Sequence, residues 1–442
     1  MARRISYPVP TSWFAALVAV TGAGLFAWPG RSWWVLVGVE AVVLTVGVVD
    51  AVACVSPSRI SVAREAPERM TMGEDGDLTW QVENRARRAT RVTVTDALWP
   101  SLGADRRRVT ARLKSGARLR AHTTLHPSRR GRFPLRDVTV RVEGPLRLVH
   151  RQATHSVPGD IRVMPAYPSR DRIRRRVRVP RVLESGLRSI RTSGGGTDFD
   201  QLREYRPDDE FKRINWAATV RLGRPIVQQY RAERNQNVVL LLDNGRVMAG
   251  TVGGVPRVEH AMDAVLGVVQ AATALDDRVG MLAFDRQVRS ILVPTNSGAQ
   301  LARAAEAMYL LEADYSESAY GVAFGTATAR FRRRSLYIVL TDLVEAVVEQ
   351  ALLPALPIIT RRHLVVIAAV QDPDIERWAK HDQPEWAGDA FRRAAAINAL
   401  NTRARAIARL RAAGAVVVDA PPGDLAVRLV DTYLEIKASG RL

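Results

Sequence analysis

Two apolar runs near the amino terminus constrain this chain more than any other feature. Residues 13–29 (WFAALVAVTGAGLFAWP) and 33–54 (WWVLVGVEAVVLTVGVVDAVAC) are separated only by Gly30-Arg31-Ser32. A run of about 20 apolar residues spans a bilayer as a helix, with its backbone polar groups satisfied internally. The second run is long enough and the first sits at the lower limit. Trp13, Trp28, Trp33 and Trp34 lie at the run ends, where aromatic belts form. The pattern predicts a transmembrane helical hairpin within residues 1–56, with helices near 13–29 and 33–54. A cleaved signal peptide fits less well, because no small-x-small site follows the first run and a second span comes at once. Arg3-Arg4 is a poor twin-arginine motif, and Cys54 lies too far in for a lipoprotein anchor.

Flanking charge orients the hairpin. Arg3 and Arg4 precede it, Arg59 and Arg64 follow it, and only Arg31 lies in its turn. The positive-inside rule places both ends, and the remaining chain, on the cytoplasmic side of the cell membrane. Glu40 lies inside the second run at about the depth of Thr21 on the first. A buried carboxylate there is costly. It reads as a hydrogen-bonded brace to Thr21, with Gly22 and Gly24 allowing close approach, rather than as a proton relay, which needs a chain of partners.

The 442 residues leave room for two or three further domains. Of 65 basic residues only Lys114, Lys212, Lys380 and Lys437 are lysines, and the net charge is +20. A single cysteine excludes a disulfide framework and a cysteine-based zinc site. Residues 57–168 show short alternating segments, among them LTWQVEN, RVTVT and DVTVRV, broken by Pro, Gly, Asn and Asp. That is the signature of a small antiparallel, immunoglobulin-like β-sandwich. Its histidines (122, 126, 150 and 155) lack ligand spacing. Residues 169–193 are an arginine-dense connector whose Ile173, Val177 and Val179 suggest an edge strand with arginines outward. It has no interleaved aromatics for base stacking, so specific nucleic-acid binding is not expected. A solvated linker comes first and attraction to anionic headgroups second.

From 235 to 442 continuous apolar strands alternate with helical periods. NVVLLLD, SLYIVLTD, HLVVIAAV and GAVVVDA read as buried strands, and RVGMLAFD with VRSILV as a strand pair. Helices are expected at 256–275, near 297–312 and 319–333, at 386–412 and at the end of the chain. Such alternation means a doubly wound, mostly parallel α/β sheet, with ligand sites beyond the carboxyl ends of its strands. Asp243, Asp342 and Asp372 fall there.

Residues 194–234 precede that sheet and have almost no apolar periodicity. They crowd together Asp198, Asp200, Arg203, Glu204, Tyr205, Asp208, Asp209, Arg213, Asn215, Trp216 and Arg221. Alternating charge of this kind forms Arg–carboxylate networks, here with Trp216 packed beneath, that brace a junction or present a docking surface.

Those residues carry a resemblance. Asp198-Phe199-Asp200, Leu202-Arg203-Glu204-Tyr205, Asp209, Arg213-Ile214-Asn215-Trp216, Arg221-x-Gly223 and Glu233-Arg234, with RRGRFPL at 129–135 and GPLRL at 144–148, resemble the bacterial "domain of unknown function 58" family. The resemblance implies a membrane hairpin, a β-sandwich and a von Willebrand factor A-like domain. It also implies pairing with MoxR-type AAA ATPases. Asp208, where the family usually has glycine, and Val220, where it usually has a small residue, depart from the pattern.

Von Willebrand A-like domains bind Mg²⁺ through an Asp-x-Ser-x-Ser motif with a later Thr and Asp. Here the first element reads Asp243-Asn244-Gly245-Arg246-Val247, without hydroxyls, and only Asp342 and Ser316 or Ser318 remain as further ligands. Mg²⁺ demands octahedral oxygen ligands, so at most a weak, degenerate ion site is expected. There is no GxxxxGK[ST] loop and no nucleophile elbow. The expectation is a membrane adaptor that recruits an AAA ATPase and is not an enzyme. The rivals are a metal-dependent hydrolase using Asp243, Asp209 and Asp342, and binding of anionic lipid or nucleic acid through the arginine-rich connector.

Overall fold

The structure is a computed structural model and describes residues 6–27, 33–177, 198–206, 209, 211, 214–231, 236–380 and 386–439. It divides into two compact units, Met1–Met164 and Pro165–Leu442.

In the first unit, alternation becomes burial. Leu78, Trp80 and Val82 on the strand Gly76–Asn84 point inward, as do Val92 and Val94, and Val138, Val140 and Val142. The strand Gly76–Asn84 lies between Ile60–Glu65 and Arg118–Leu125 in a three-stranded antiparallel sheet. A larger sheet runs Tyr7–Pro10, Val149–Met164, Gly131–Glu143, Thr90–Asp96, Arg108–Leu113. Side chains of both sheets share one apolar core. Inside it, Asp96 accepts from Arg64 Nη1 at 2.7 Å and from Trp80 Nε1 at 2.7 Å. A buried pair of this kind is costly to break from one side, because the remaining charge stays buried. His126 is exposed between Asp75 and Asp105, and its hydrogen bond to the Asp75 carboxylate raises its pKa.

The two apolar runs form helices Ser12–Phe26 and Trp33–Ala53. One stretch, Trp33–Arg59, is long and apolar enough to cross a membrane, with mean hydropathy 2.2; the stretch Ser12–Gly24 is shorter. The helices touch where Thr21 Oγ1 donates to Glu40 Oε1 at 2.7 Å. Gly22 lies against Glu40, but Gly24 faces open space, and the second close approach is at Gly47, where a Cβ would meet the Phe14 ring at 2.5 Å. Asp50, fully buried, accepts from the backbone N–H groups of Leu146, Leu148 and Val149. Thr11 donates to the carbonyl of Leu148 at 2.9 Å and accepts from Phe14 N. The start of the first helix and the end of the second are therefore tied to the same corner of the larger sheet.

The second unit is built on a six-stranded sheet in the order Val288–Thr295, Arg278–Phe284, Asn237–Asp243, Ser335–Leu340, Leu364–Val370, Val416–Ala420. All neighbours are parallel except the pair formed by the first two strands in that order. The chain starts in the middle, builds outward to one side, then returns to build the other. Apolar clusters cover both faces, one centred on the helix Arg257–Ala274 and one on Tyr320–Arg330. Apolar strands buried on both faces require this double cover.

The connector differs from its expectation. Residues 170–177 are helical, and Ile173 and Val177 are buried in the cluster around Arg257–Ala274. The i, i+4 spacing of those two residues places both on one helical face. Ser169 donates to Asp263 at its start, and Arg172 pairs with Asp424 at 2.8 Å. Residues 178–193 lie outside the described residues.

Candidate functional site

The sheet reverses its direction of growth between Asn237–Asp243 and Ser335–Leu340, so Asp243 and Asp342 stand at the two sides of the switch point. Crevices at such points are the usual ligand sites of open α/β sheets.

Asp243 is fully buried and already surrounded. Its Oδ1 accepts from Gly245 N at 2.9 Å and Ser318 Oγ at 2.5 Å; its Oδ2 accepts from Tyr320 Oη at 2.8 Å and Thr341 Oγ1 at 2.6 Å. The sequence departs from hydroxyls in the 243–247 loop, and the hydroxyls come instead from three other places in the chain. Gly245 is required here, since a Cβ would overlap the Ser318 hydroxyl. Burial raises the Asp243 pKa despite those four donors, and burial with the Asp243 charge pushes the Tyr320 phenol well up.

Asp342 is held differently. Arg403 Nη1 donates to its Oδ1 at 2.8 Å, and Arg257 Nε lies 3.2 Å from its Oδ2. The same Arg403 grips Asp419 through Nε (3.0 Å) and Nη2 (2.8 Å) and donates to the carbonyl of Val370. Burial works against the Arg403 charge, but the hydrogen bonds and charges of Asp419 and Asp342 prevail and raise its pKa. Arg246, the one cation in the 243–247 loop, donates to Glu317. Ser316 supplies its backbone carbonyl to Arg246 N, while its buried hydroxyl has no partner. A divalent cation needs vacant oxygen lone pairs from several directions. Those of Asp243 are taken by protein donors, and Asp342 lies between two guanidinium groups. The residues do not fit Mg²⁺. Asp372 is a helix N-cap, its side chain accepting from Asp374 N.

The charged segment folds as a separate feature of this unit. Strands Asp198–Glu204 and Ile226–Arg231 pair antiparallel, and between them runs the short helix Trp216–Leu222. Asn215 caps that helix, accepting from Ala218 N at 2.9 Å, and Gly223 ends it in the left-handed conformation at φ 64°. Both are the residue types these positions demand. Arg203 holds Asp209 in a bidentate pair at 2.7 and 2.5 Å, which Arg206 N reinforces at 2.8 Å. The Arg203 hydrogen bond keeps the Asp209 carboxyl below its ordinary pKa. Glu204 pairs with Arg224, and Tyr205 N donates to the carbonyl of Pro225. Asp198 and Asp200 lie on the first strand; Asp208 and Arg213 fall outside the described residues. Among the described residues, no hydrogen bond or ion pair joins Asp209 to Asp243 or Asp342.

Trp216 is not packed beneath the network. It is 58% exposed and meets Phe211, 67% exposed, edge to face at 5.7 Å between ring centroids. The helix buries none of its residues; Val220, Leu222 and Arg221 face solvent with it, as does Leu202 on the adjoining strand.

Residues 201–381 match the model of a family described as protein of unknown function DUF58. The chain resembles the DUF58 family. That match takes in most of the hairpin of strands and the sheet through Leu364–Val370. No curated protein matches the chain. Among solved structures it is similar to the conserved hypothetical protein BatB from Bacteroides thetaiotaomicron, at 16% identity over 46% of this chain and 99% of that one, with a TM-score of 0.30. It is also similar to the ASH/PapD-like domain of human CEP192, at 11% identity over 25% of this chain and 87% of that one, with a TM-score of 0.19. A third is proximal thread matrix protein 1 from the mussel byssus, at 11% identity over 47% of this chain and 46% of that one, with a TM-score of 0.28.

Sequence reasoning missed Arg257, Arg403, Tyr320 and Thr341. Thr341 stands beside Asp342 and was open to notice. Arg403 sits 61 residues beyond its partner in an arginine-rich helix, with no local signal to separate it from its neighbours.

Proposed function

We propose that this chain is a membrane-anchored adaptor, facing the cytoplasm, that recruits a protein partner through its α/β unit and the 194–234 segment. The partner is a MoxR-type AAA ATPase, as the DUF58 resemblance implies. The observation that carries this reading is the exposed set Leu202, Phe211, Trp216, Val220 and Leu222, mounted on a hairpin that carries the ion pairs Arg203–Asp209 and Arg224–Glu204. This seven-residue helix buries none of its own apolar side chains, so it draws little stability from packing. Clustered exposed apolar groups rimmed by charge mark interaction surfaces, and aromatic side chains are the usual anchors.

Two finer points belong to the same proposal. The α/β unit is von Willebrand A-like, a reading supported by its strand order and by Asp243 and Asp342 at the switch point. The two apolar helices form an in–out–in hairpin, supported by the Thr21–Glu40 bond and by both helix ends joining one corner of the sandwich. The saturated carboxylates at the switch point speak against the hydrolase rival, since neither is open to activate water.

Affinity capture of the full chain from native membranes tests the adaptor. The expected result is recovery of an AAA ATPase, lost in Trp216→Ala and in Phe211→Ser while the thermal midpoint stays in place. Loss of no protein from the capture in either variant rejects this surface, and turnover abolished by Asp243→Ala would restore the enzyme.

A further inference from the structure

We propose that the amino-terminal edge of the six-stranded sheet, formed by the starts of its strands opposite the switch point, where Arg330, Arg332, Arg333, Arg361 and Arg362 converge, is a docking surface for the anionic headgroups of a lipid bilayer. This goes beyond the adaptor reading and does not use the 198–231 hairpin.

The placement follows from the topology. Ser335–Leu340 and Leu364–Val370 are parallel neighbours with Leu336 opposite Leu364. The residues that lead into them, 332–334 and 361–363, therefore arrive side by side, about 5 Å apart at the strand spacing. Arg332, Arg333, Arg361 and Arg362 are exposed. Residues 318–341 and 350–371 contain six arginines and no aspartate or glutamate. Among the described residues, none of Arg330, Arg332, Arg333, Arg361 and Arg362 forms an ion pair with a carboxylate. Of the acidic groups on flanking elements, Glu349 is engaged by Arg409 and Asp277 by Lys437, while Asp276 is exposed. His363 is buried between the two runs; burial, with Arg362 and Arg334, lowers its pKa. The fold thus concentrates like charge where compactness alone opposes it.

Three features select a lipid surface over other polyanions. The rings at this edge, Phe331 and Tyr337, are buried, so unpaired bases have nothing to stack on. The guanidinium groups are spread over two exposed loops rather than gathered around one phosphate-sized hollow. The chain also carries the apolar stretch Trp33–Arg59, long and apolar enough to hold it beside a bilayer. Each arginine brought to an anionic leaflet strengthens its association about fivefold.

The full chain in lipid nanodiscs provides the test. A fluorophore on Ala413→Cys, in a Cys54→Ser background, reports from the same edge, because residue 413 leads into the strand Val416–Ala420. Energy transfer to a headgroup-labelled lipid is read in phosphatidylcholine discs with and without phosphatidylglycerol. The expected result is strong transfer with phosphatidylglycerol at low salt, lost at high salt as screening shortens the field. Arg332→Gln/Arg333→Gln should weaken the lipid-dependent part about 25-fold, from two arginines. These exposed changes should leave the thermal midpoint unmoved, and inorganic phosphate at equal charge should not compete. Equal transfer in both lipids, persistence of the lipid effect in the double variant, or displacement by inorganic phosphate overturns the proposal. Tighter binding of the same edge to a nucleic-acid duplex than to phosphatidylglycerol vesicles overturns it as well.

Discussion

Asp243 shows how a residue can keep its place in a fold and exchange one chemistry for another. Its carboxylate sits at the switch point, yet four donors from Gly245, Ser318, Tyr320 and Thr341 complete its coordination. Burial raises its folded pKa above the ordinary 3.8. Its contribution to stability is therefore fully present below that value and is lost as pH rises through the folded pKa. Urea unfolding of wild type and Asp243→Asn across this window should show the variant, less stable throughout because an amide cannot accept all four donors, with a flatter descent toward neutral pH. Parallel slopes would reject the raised pKa. Wild type and Asp342→Ala address the metal. A ligand that binds only the native state must stabilise it. Mg²⁺ or Mn²⁺ should leave the wild-type thermal midpoint unchanged, and a rise abolished by Asp342→Ala would overturn the misfit argued from Arg257 and Arg403. Position was legible for Asp243 and Asp342 because a carboxylate closing an apolar strand is a local pattern. Their partners were not, since hydrogen bonds across 61 to 98 residues leave no periodicity.

At the level of elements, the long periodic segments were read correctly and the short ones less well. The apolar strands and the helix Arg257–Ala274 repeat their pattern often enough to fix their type. The connector offers only Ile173, Val177 and Val179, which fit period 4 and period 2 in turn; packing decides, and the first pair goes into the core as a helix. Trp216, expected beneath its network, is exposed instead: large aromatics bury on average, but this helix has no core to face. The connector helix permits a direct test. Ile173 is fully buried, and a Cβ on Gly267 would lie 2.5 Å from its Cδ1. Ile173→Ala should cost about 2–5 kcal/mol in chemical denaturation of this unit's transition. Gly267→Ala should also destabilise, and Ile173→Val in that background should recover part of the loss by withdrawing the terminal methyl. Additive effects in this double-mutant cycle would mean that the two residues are not in contact.

On the scale of the whole molecule, function turns on which side of the membrane the α/β unit occupies. The helix Trp33–Ala53 covers about 31 Å at 1.5 Å per residue, enough for a hydrocarbon core near 30 Å, whereas Ser12–Phe26 covers about 22 Å. A single span would put the amino terminus and the α/β unit on opposite faces. The structure within the first unit argues for the same face, because Tyr7–Pro10 pairs with the sheet strand Val149–Met164 and Asp50 is bound to the loop just before it. On the proposed two-span reading both helices would leave and re-enter at one surface, with the shorter accommodated by local thinning of the bilayer. Under the proposed hairpin, the four flanking arginines, 3, 4, 59 and 64, would orient that surface toward the cytoplasm. Single cysteines in a Cys54→Ser background separate the possibilities. A membrane-impermeant maleimide applied to intact cells should label Arg31→Cys and spare Ala413→Cys, with both labelled after the cells are opened. Labelling of Ala413→Cys alone would invert the topology, and with it the access of an ATP-dependent partner. Labelling of neither in intact cells would mean that the first helix lies along the cytoplasmic surface, leaving the adaptor possible but the two-span hairpin wrong.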